Sequence, residues 1–161
     1  MLASRLAFFA LLAGLLTASG CDAGTQKNDA QYQALRGTWE IVSLTVDGVP
    51  FTTDISTRYD SLQLTFDGTA ENAEYAFRGV RDQTALLSAS GPLTVLDAPQ
   101  SLALTRGPET VLLTYEITQS RRAILTVPPG RLNGSDVLLQ LVLPDGAWSG
   151  DPRVELRLER L

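Results

Sequence analysis

Ser61-Leu62-Gln63-Leu64-Thr65-Phe66-Asp67 alternates polar and apolar side chains without a break. In an extended chain successive side chains point to opposite faces. Leu62, Leu64 and Phe66 therefore share one face, and Ser61, Gln63, Thr65 and Asp67 the other. That period of two marks a strand with one side in a core and the other in water. Asp67-Gly68 follows at the position of a turn.

The same period recurs along most of the chain. Ala73, Tyr75 and Phe77 alternate with Glu74, Ala76 and Arg78; Val111, Leu113, Tyr115 and Ile117 alternate with Leu112, Thr114, Glu116 and Thr118; Val154, Leu156 and Leu158 alternate with Arg153, Glu155, Arg157 and Glu159. Gly37–Val46, Leu93–Leu96, Leu102–Thr105, Ala123–Val127 and Val137–Leu143 are shorter strand candidates. The last is apolar on both faces, as expected of the most buried strand or of one that packs against something outside the sheet. Asp47-Gly48, Gly91-Pro92, Gly107-Pro108, Pro128-Pro129-Gly130, Asn133-Gly134 and Asp145-Gly146 stand where turns are needed. Past residue 21 no ten-residue window carries a helical stripe, and a single turn is expected around Ala30–Leu35. Eight or nine short strands in series predict an all-β fold. An antiparallel up-and-down barrel of about eight strands is the first expectation and a β-sandwich the alternative. Closing the sheet would remove its edges.

The other informative stretch is Met1–Cys21. One cation, Arg5, precedes the apolar run Leu6–Leu16, and Ala18-Ser19-Gly20 stands directly before the chain's single cysteine. This resembles a bacterial lipoprotein signal peptide ending in a lipobox. The resemblance implies cleavage after residue 20, acylation of Cys21 and attachment to a membrane facing the periplasm or the cell exterior. As a helix the apolar run would span roughly 16 Å at about 1.5 Å per residue, short of the roughly 30 Å a bilayer core requires. The expected organisation is a leader over 1–20, an acylated cysteine and flexible tether over 21–34, and a barrel domain over 35–161.

Composition narrows the function. Without Arg5 the chain keeps twelve of its thirteen basic side chains against eighteen acidic ones, a formal charge of −6. The basic residues are dispersed, which speaks against nucleic acid. One cysteine excludes an intrachain disulfide, so the fold must stand on its core. There is no histidine, which removes Ser-His and Cys-His nucleophile systems and the commonest transition-metal ligand. The chain has no Gly-x-Ser-x-Gly elbow, no phosphate-cradling glycine loop and no calcium loop. The acidic residues sit at turns or alternate outward on strands. No catalytic residue, metal site or cofactor is expected, and the protein reads as a non-enzyme.

Leu35-Arg36-Gly37-Thr38-Trp39 opens the first strand, and Leu64-Thr65-Phe66-Asp67-Gly68 follows. A Gly-x-Trp strand followed by a Leu-x-Phe-x-x-Gly hairpin resembles the lipocalin-like domains of bacterial lipoproteins, over about Leu35 to Leu161. The chain departs from animal lipocalins in lacking their Thr-Asp-Tyr loop motif and any cysteine pair to the last strand. The resemblance implies that Gly37 and Trp39 close one end of the barrel under a cation from the final strand. Arg157 is the first choice for that cation, with Arg160 and Arg153 behind it.

Two functions follow as expectations. The first is a membrane-anchored protein that binds a small apolar ligand in its barrel, with Phe66, Tyr75, Phe77 and Tyr115 lining the bore and Trp148, in a glycine-flanked loop, either plugging an end of the barrel or standing at the binding rim. The connections Pro50–Asp60 and Pro128–Asp136 would frame the mouth. The second is an envelope interaction or scaffold protein with a side-chain-filled barrel, meeting a protein partner through its surface. A solid interior favours the second.

Overall fold

A computed structural model of the chain describes residues 23–98, 100–130, 133–146, 148 and 150–161. Cys21 and the leader read over 1–20 lie outside the described residues.

The expected all-β barrel is present. Helix α1 (Ala23–Leu35) leads into β1 (Gly37–Val46), a short β2 (Val49–Pro50) and helix α2 (Thr52–Arg58). Then come β3 (Ser61–Thr69), β4 (Asn72–Arg81), β5 (Thr84–Val95), β6 (Ser101–Arg106), β7 (Glu109–Gln119) and β8 (Arg122–Val127). Helix α3 (Ser135–Val142) and β9 (Val154–Arg160) complete the chain. The strands follow one another antiparallel in the order β1-β3-β4-β5-β6-β7-β8-β9, and β9 pairs back onto β1 from Trp39↔Arg160 to Val46↔Val154. Eight strands thus close a barrel, and β2 folds back on the end of β1.

Parity sets the interior. Leu62, Leu64 and Phe66 of β3 face in with Ala73, Tyr75 and Phe77 of β4, Val111, Leu113 and Tyr115 of β7, and Val154, Leu156 and Leu158 of β9. β1 keeps Trp39, Ile41, Leu44 and Val46 inside although their spacing changes midway. A bulge at Val42 absorbs the extra residue, and Val42 is left exposed.

Five segments differ from the sequence reading. Asp67-Gly68 is not a turn but pairs with Glu74 and Ala73 inside β3, and the turn falls later, at Ala70-Glu71. Thr52–Arg58, within the Pro50–Asp60 connection, is the helix α2. Val137–Leu143 is not a strand; Ser135–Val142 is helical, with Leu138, Leu139, Leu141 and Val142 buried. A short run apolar on all sides has no period to distinguish the two, and its leucines are strong helix formers. Gly91-Pro92 is not a turn but lies inside β5. The turn that starts β5 is Asp82-Gln83, both with positive φ, between Arg81 and Thr84. Gly91 is small because a Cβ there would collide with the Thr105 carbonyl oxygen. Finally, Ala23–Leu35 is helical where a flexible tether was expected over residues 21–34. Its last turns are fixed by burial of Tyr32 and Leu35, three residues apart on one face.

The barrel is stoppered at both ends. Gly37 and Arg160 mark the end covered by α1, called here the near end. Val46 and Val154 mark the far end, where α2 and α3 pack.

Candidate functional site

At the near end Trp39 is fully buried and donates its indole N–H to the Leu35 carbonyl at 2.7 Å. The side chain over its ring is Arg160, with the guanidinium carbon 4.6 Å from the ring centroid. This corrects the expectation of Arg157, which points outward and pairs with Glu155 at 3.2 Å. Arg160 also donates through Nη2 to the carbonyls of Ala34, at 2.8 Å, and Arg36, at 2.6 Å. One guanidinium thus satisfies carbonyls that the end of α1 leaves free and places a cation at that end of its dipole. Gly37 has φ +123°, a conformation open to glycine, and this lets the chain turn from α1 into β1. Tyr32 donates its hydroxyl to the Asp67 carbonyl at 2.6 Å. Burial pushes its phenol pKa up to about 12.

The four bore residues named from the sequence come together inside the barrel. Tyr75 and Phe77 meet edge to face with centroids 5.9 Å apart. Tyr75 donates to the Thr105 carbonyl at 3.1 Å. Burial raises the pKa of both Tyr75 and Tyr115. A chamber for an apolar guest would leave area open on the side chains that line it. Phe66 is 1 % exposed, Phe77 2 %, Tyr75 3 % and Tyr115 4 %. These residues pack against one another and against the core. Among the described residues the bore is built as a core.

At the far end the open space lies outside the barrel. A groove of about 620 Å³ runs between α2 and the turn after α3, lined by Phe51, Asp54, Thr57, Arg58, Leu143, Asp145 and Gly146. Phe51 and Leu143 give it an apolar floor. Arg58 spans it to reach Asp145 at 2.7 Å, which raises the pKa of the guanidinium. Arg58 also lies 5.9 Å from the Tyr59 ring centroid. Tyr59 is buried, donates to the Val142 carbonyl at 3.1 Å and so ties α2 to α3. Burial raises its pKa, and the neighbouring Arg58 opposes that shift.

Trp148 is half-buried against the core, its ring over Gly146, where a Cβ would strike it. It belongs to the far-end cover rather than to the group of four bore residues. The groove was missed in the sequence because α2 was read as a connection. Its one signal was Pro50–Asp60 named as a mouth segment. No histidine is present, and among the described residues no group of acidic side chains is close enough to hold a metal ion. The arrangement is an apolar floor crossed by one ion pair internal to the chain.

No protein-family model matches the chain, and no curated protein is significantly similar to it.

Proposed function

We propose that this is a membrane-anchored, non-catalytic protein of the cell envelope that acts through its surface rather than through a guest in its bore. Cys21 is the anchor in this reading. Two or three acyl chains on one residue would hold the domain durably, since each buried methylene contributes about 0.8 kcal/mol. The near end faces the anchor, and the far-end groove of Phe51, Arg58, Leu143 and Asp145 is turned towards partners. The observation that carries this reading is the burial of Phe66, Phe77, Tyr75 and Tyr115 to 4 % exposure or less. An apolar ligand in a lipocalin-like bore is the competing reading. It draws on the apolar character of the same rows.

The test is purification of the acylated protein from its native envelope, with mass spectrometry of what accompanies it. A protein recovered with the wild type and lost with Arg58→Glu supports the proposal. A stoichiometric apolar small molecule would overturn the surface reading. Cys21→Ser should release the domain from the membrane fraction. A wild-type chain found soluble in the cytoplasm with a free thiol would overturn the anchor.

A further inference from the structure

The near end gathers cations that the sequence disperses. The turn between β7 and β8 presents Arg121 and Arg122, both exposed, and β9 brings in Arg160 from 39 residues along the chain. With Gln119 and Glu159 they line a cleft of about 450 Å³. Its walls are held in place. The Arg160 backbone N–H donates to the Arg121 carbonyl at 2.9 Å, and Arg121 Nη2 donates back to the Arg160 carbonyl at 3.2 Å. The carboxylate of the cleft is engaged, since Glu159 accepts from Arg122 Nε at 3.1 Å. Arg121 and Arg160 are instead held by carbonyls, which solvate a charge without cancelling it. Three guanidinium groups against one carboxylate leave two positive charges in the cleft, in a chain of net charge −5.

We infer that this cleft binds a phosphate group, supplied by the headgroup of an anionic membrane lipid. Charge selects an anion, and guanidinium forks match phosphate oxygens two at a time. Arg121 and Arg122 set two such forks on one pinned turn. The acidic side chains Asp67, Glu71 and Glu74 do not oppose this, because the strand order puts the β3–β4 hairpin across the barrel from β7 and β8. Position selects the source. The cleft lies at the end covered by α1, which begins at Ala23, just after Cys21 and Asp22. α1 is about 20 Å long at roughly 1.5 Å per residue, so headgroups around the anchor come within reach. Leu161, 65 % exposed, adjoins Arg160 and offers an apolar contact beside the charge. An acidic chain is repelled by an anionic surface except where its cations gather, so the cleft also sets the side that faces the membrane. The choice of a lipid rests on the anchor at Cys21; the anion site rests on the cleft alone.

The purified full chain in a neutral detergent is titrated by calorimetry at fixed ionic strength. The probes are short-chain phosphatidylglycerol, inorganic phosphate, and short-chain phosphatidylcholine, whose choline cancels the phosphate charge. Saturable binding of phosphatidylglycerol is expected, with inorganic phosphate competing for the same site and phosphatidylcholine failing to. Arg121→Gln and Arg122→Gln change exposed side chains and should keep the circular dichroism spectrum. Each should weaken binding by about tenfold or more, as the loss of a charged hydrogen bond does. Arg78→Gln, the same loss of charge on the outer face of β4, should weaken it by less than about twofold, because salt screens a distant exposed charge. Tighter binding of inorganic phosphate than of phosphatidylglycerol upholds the anion site and overturns the lipid as its source. No saturable binding of either overturns the inference, as does binding that Arg78→Gln weakens as much as the cleft variants. A free thiol at Cys21 would overturn the anchor and leave the titrations standing.

Discussion

Arg157 and Arg160 stand three residues apart on β9, so they face opposite sides of the sheet, and the choice between them was open to parity. Val154, Leu156 and Leu158 face inward, which continues to Arg160 and places Arg157 in water. Arg160→Ala removes the contact with Trp39 and the hydrogen bonds to Ala34 and Arg36. It should cost about 2–3 kcal/mol in urea unfolding, given the usual size of cation–π and charged hydrogen-bond contributions. Arg157→Ala removes one exposed ion pair and should stay within about 0.5 kcal/mol. Equal losses from the two variants would refute this account of the near end. Tyr32 makes a second residue-scale prediction. Its folded pKa of about 12 lies above the ordinary value of 10.0, so the folded state favours the neutral phenol. Its contribution is complete below pH 10 and is lost as pH rises through the window from 10 to about 12. Tyr32→Phe should flatten the fall of the urea midpoint in that window, while losing the bond to Asp67 at neutral pH.

At the scale of elements, strands with strict alternation and glycine-marked ends were legible, and the misreadings have local causes. β3, β4, β7 and β9 announce themselves because one face is wet and the other dry. The first half of β5 does not. Thr84–Ser90 lacks a wet and dry side in its composition, and Asp82-Gln83 adopts positive φ without a glycine to signal the turn. α1 was hidden because Tyr32 and Leu35 are the only buried side chains among those described in it. The four bore residues were legible from parity. The groove was not, because it depends on Tyr59 joining α2 to α3 across 83 residues of chain. α3 itself yields a prediction. Leu139 is fully buried and Gln140 is exposed. Leu139→Ala should cost about 2–5 kcal/mol, the range for emptying a buried leucine site. Gln140→Ala should cost almost nothing, being a surface change to a better helix former. If Val137–Leu143 were a strand, Gln140 would share its face with Leu138 and Val142. The two variants would then be of similar consequence. Chemical denaturation of both decides between a helix and a strand at this position.

For the whole molecule, closure at two ends and close packing between them make the barrel a scaffold. α1 covers the near end through Tyr32, Leu35 and Arg160, and α3 covers the far end through Leu138, Leu139 and Val142. What lies between is filled by aromatic side chains at a few per cent exposure. Side chains buried to this extent leave little room for a guest, but removing a large side chain creates room. The wild type should therefore bind no benzene-sized apolar compound in its bore, as followed by calorimetry or by a shift in thermal midpoint. Phe77→Ala removes a ring that packs against Tyr75 and is 2 % exposed. It should cost about 3–5 kcal/mol and leave an apolar cavity. Such cavities stay dry and accept small apolar molecules, so the same compound should now bind and raise the midpoint of the variant alone. Saturable binding of the compound by the wild type, abolished rather than created by Phe77→Ala, would mean that the bore is a ligand site and the surface reading fails.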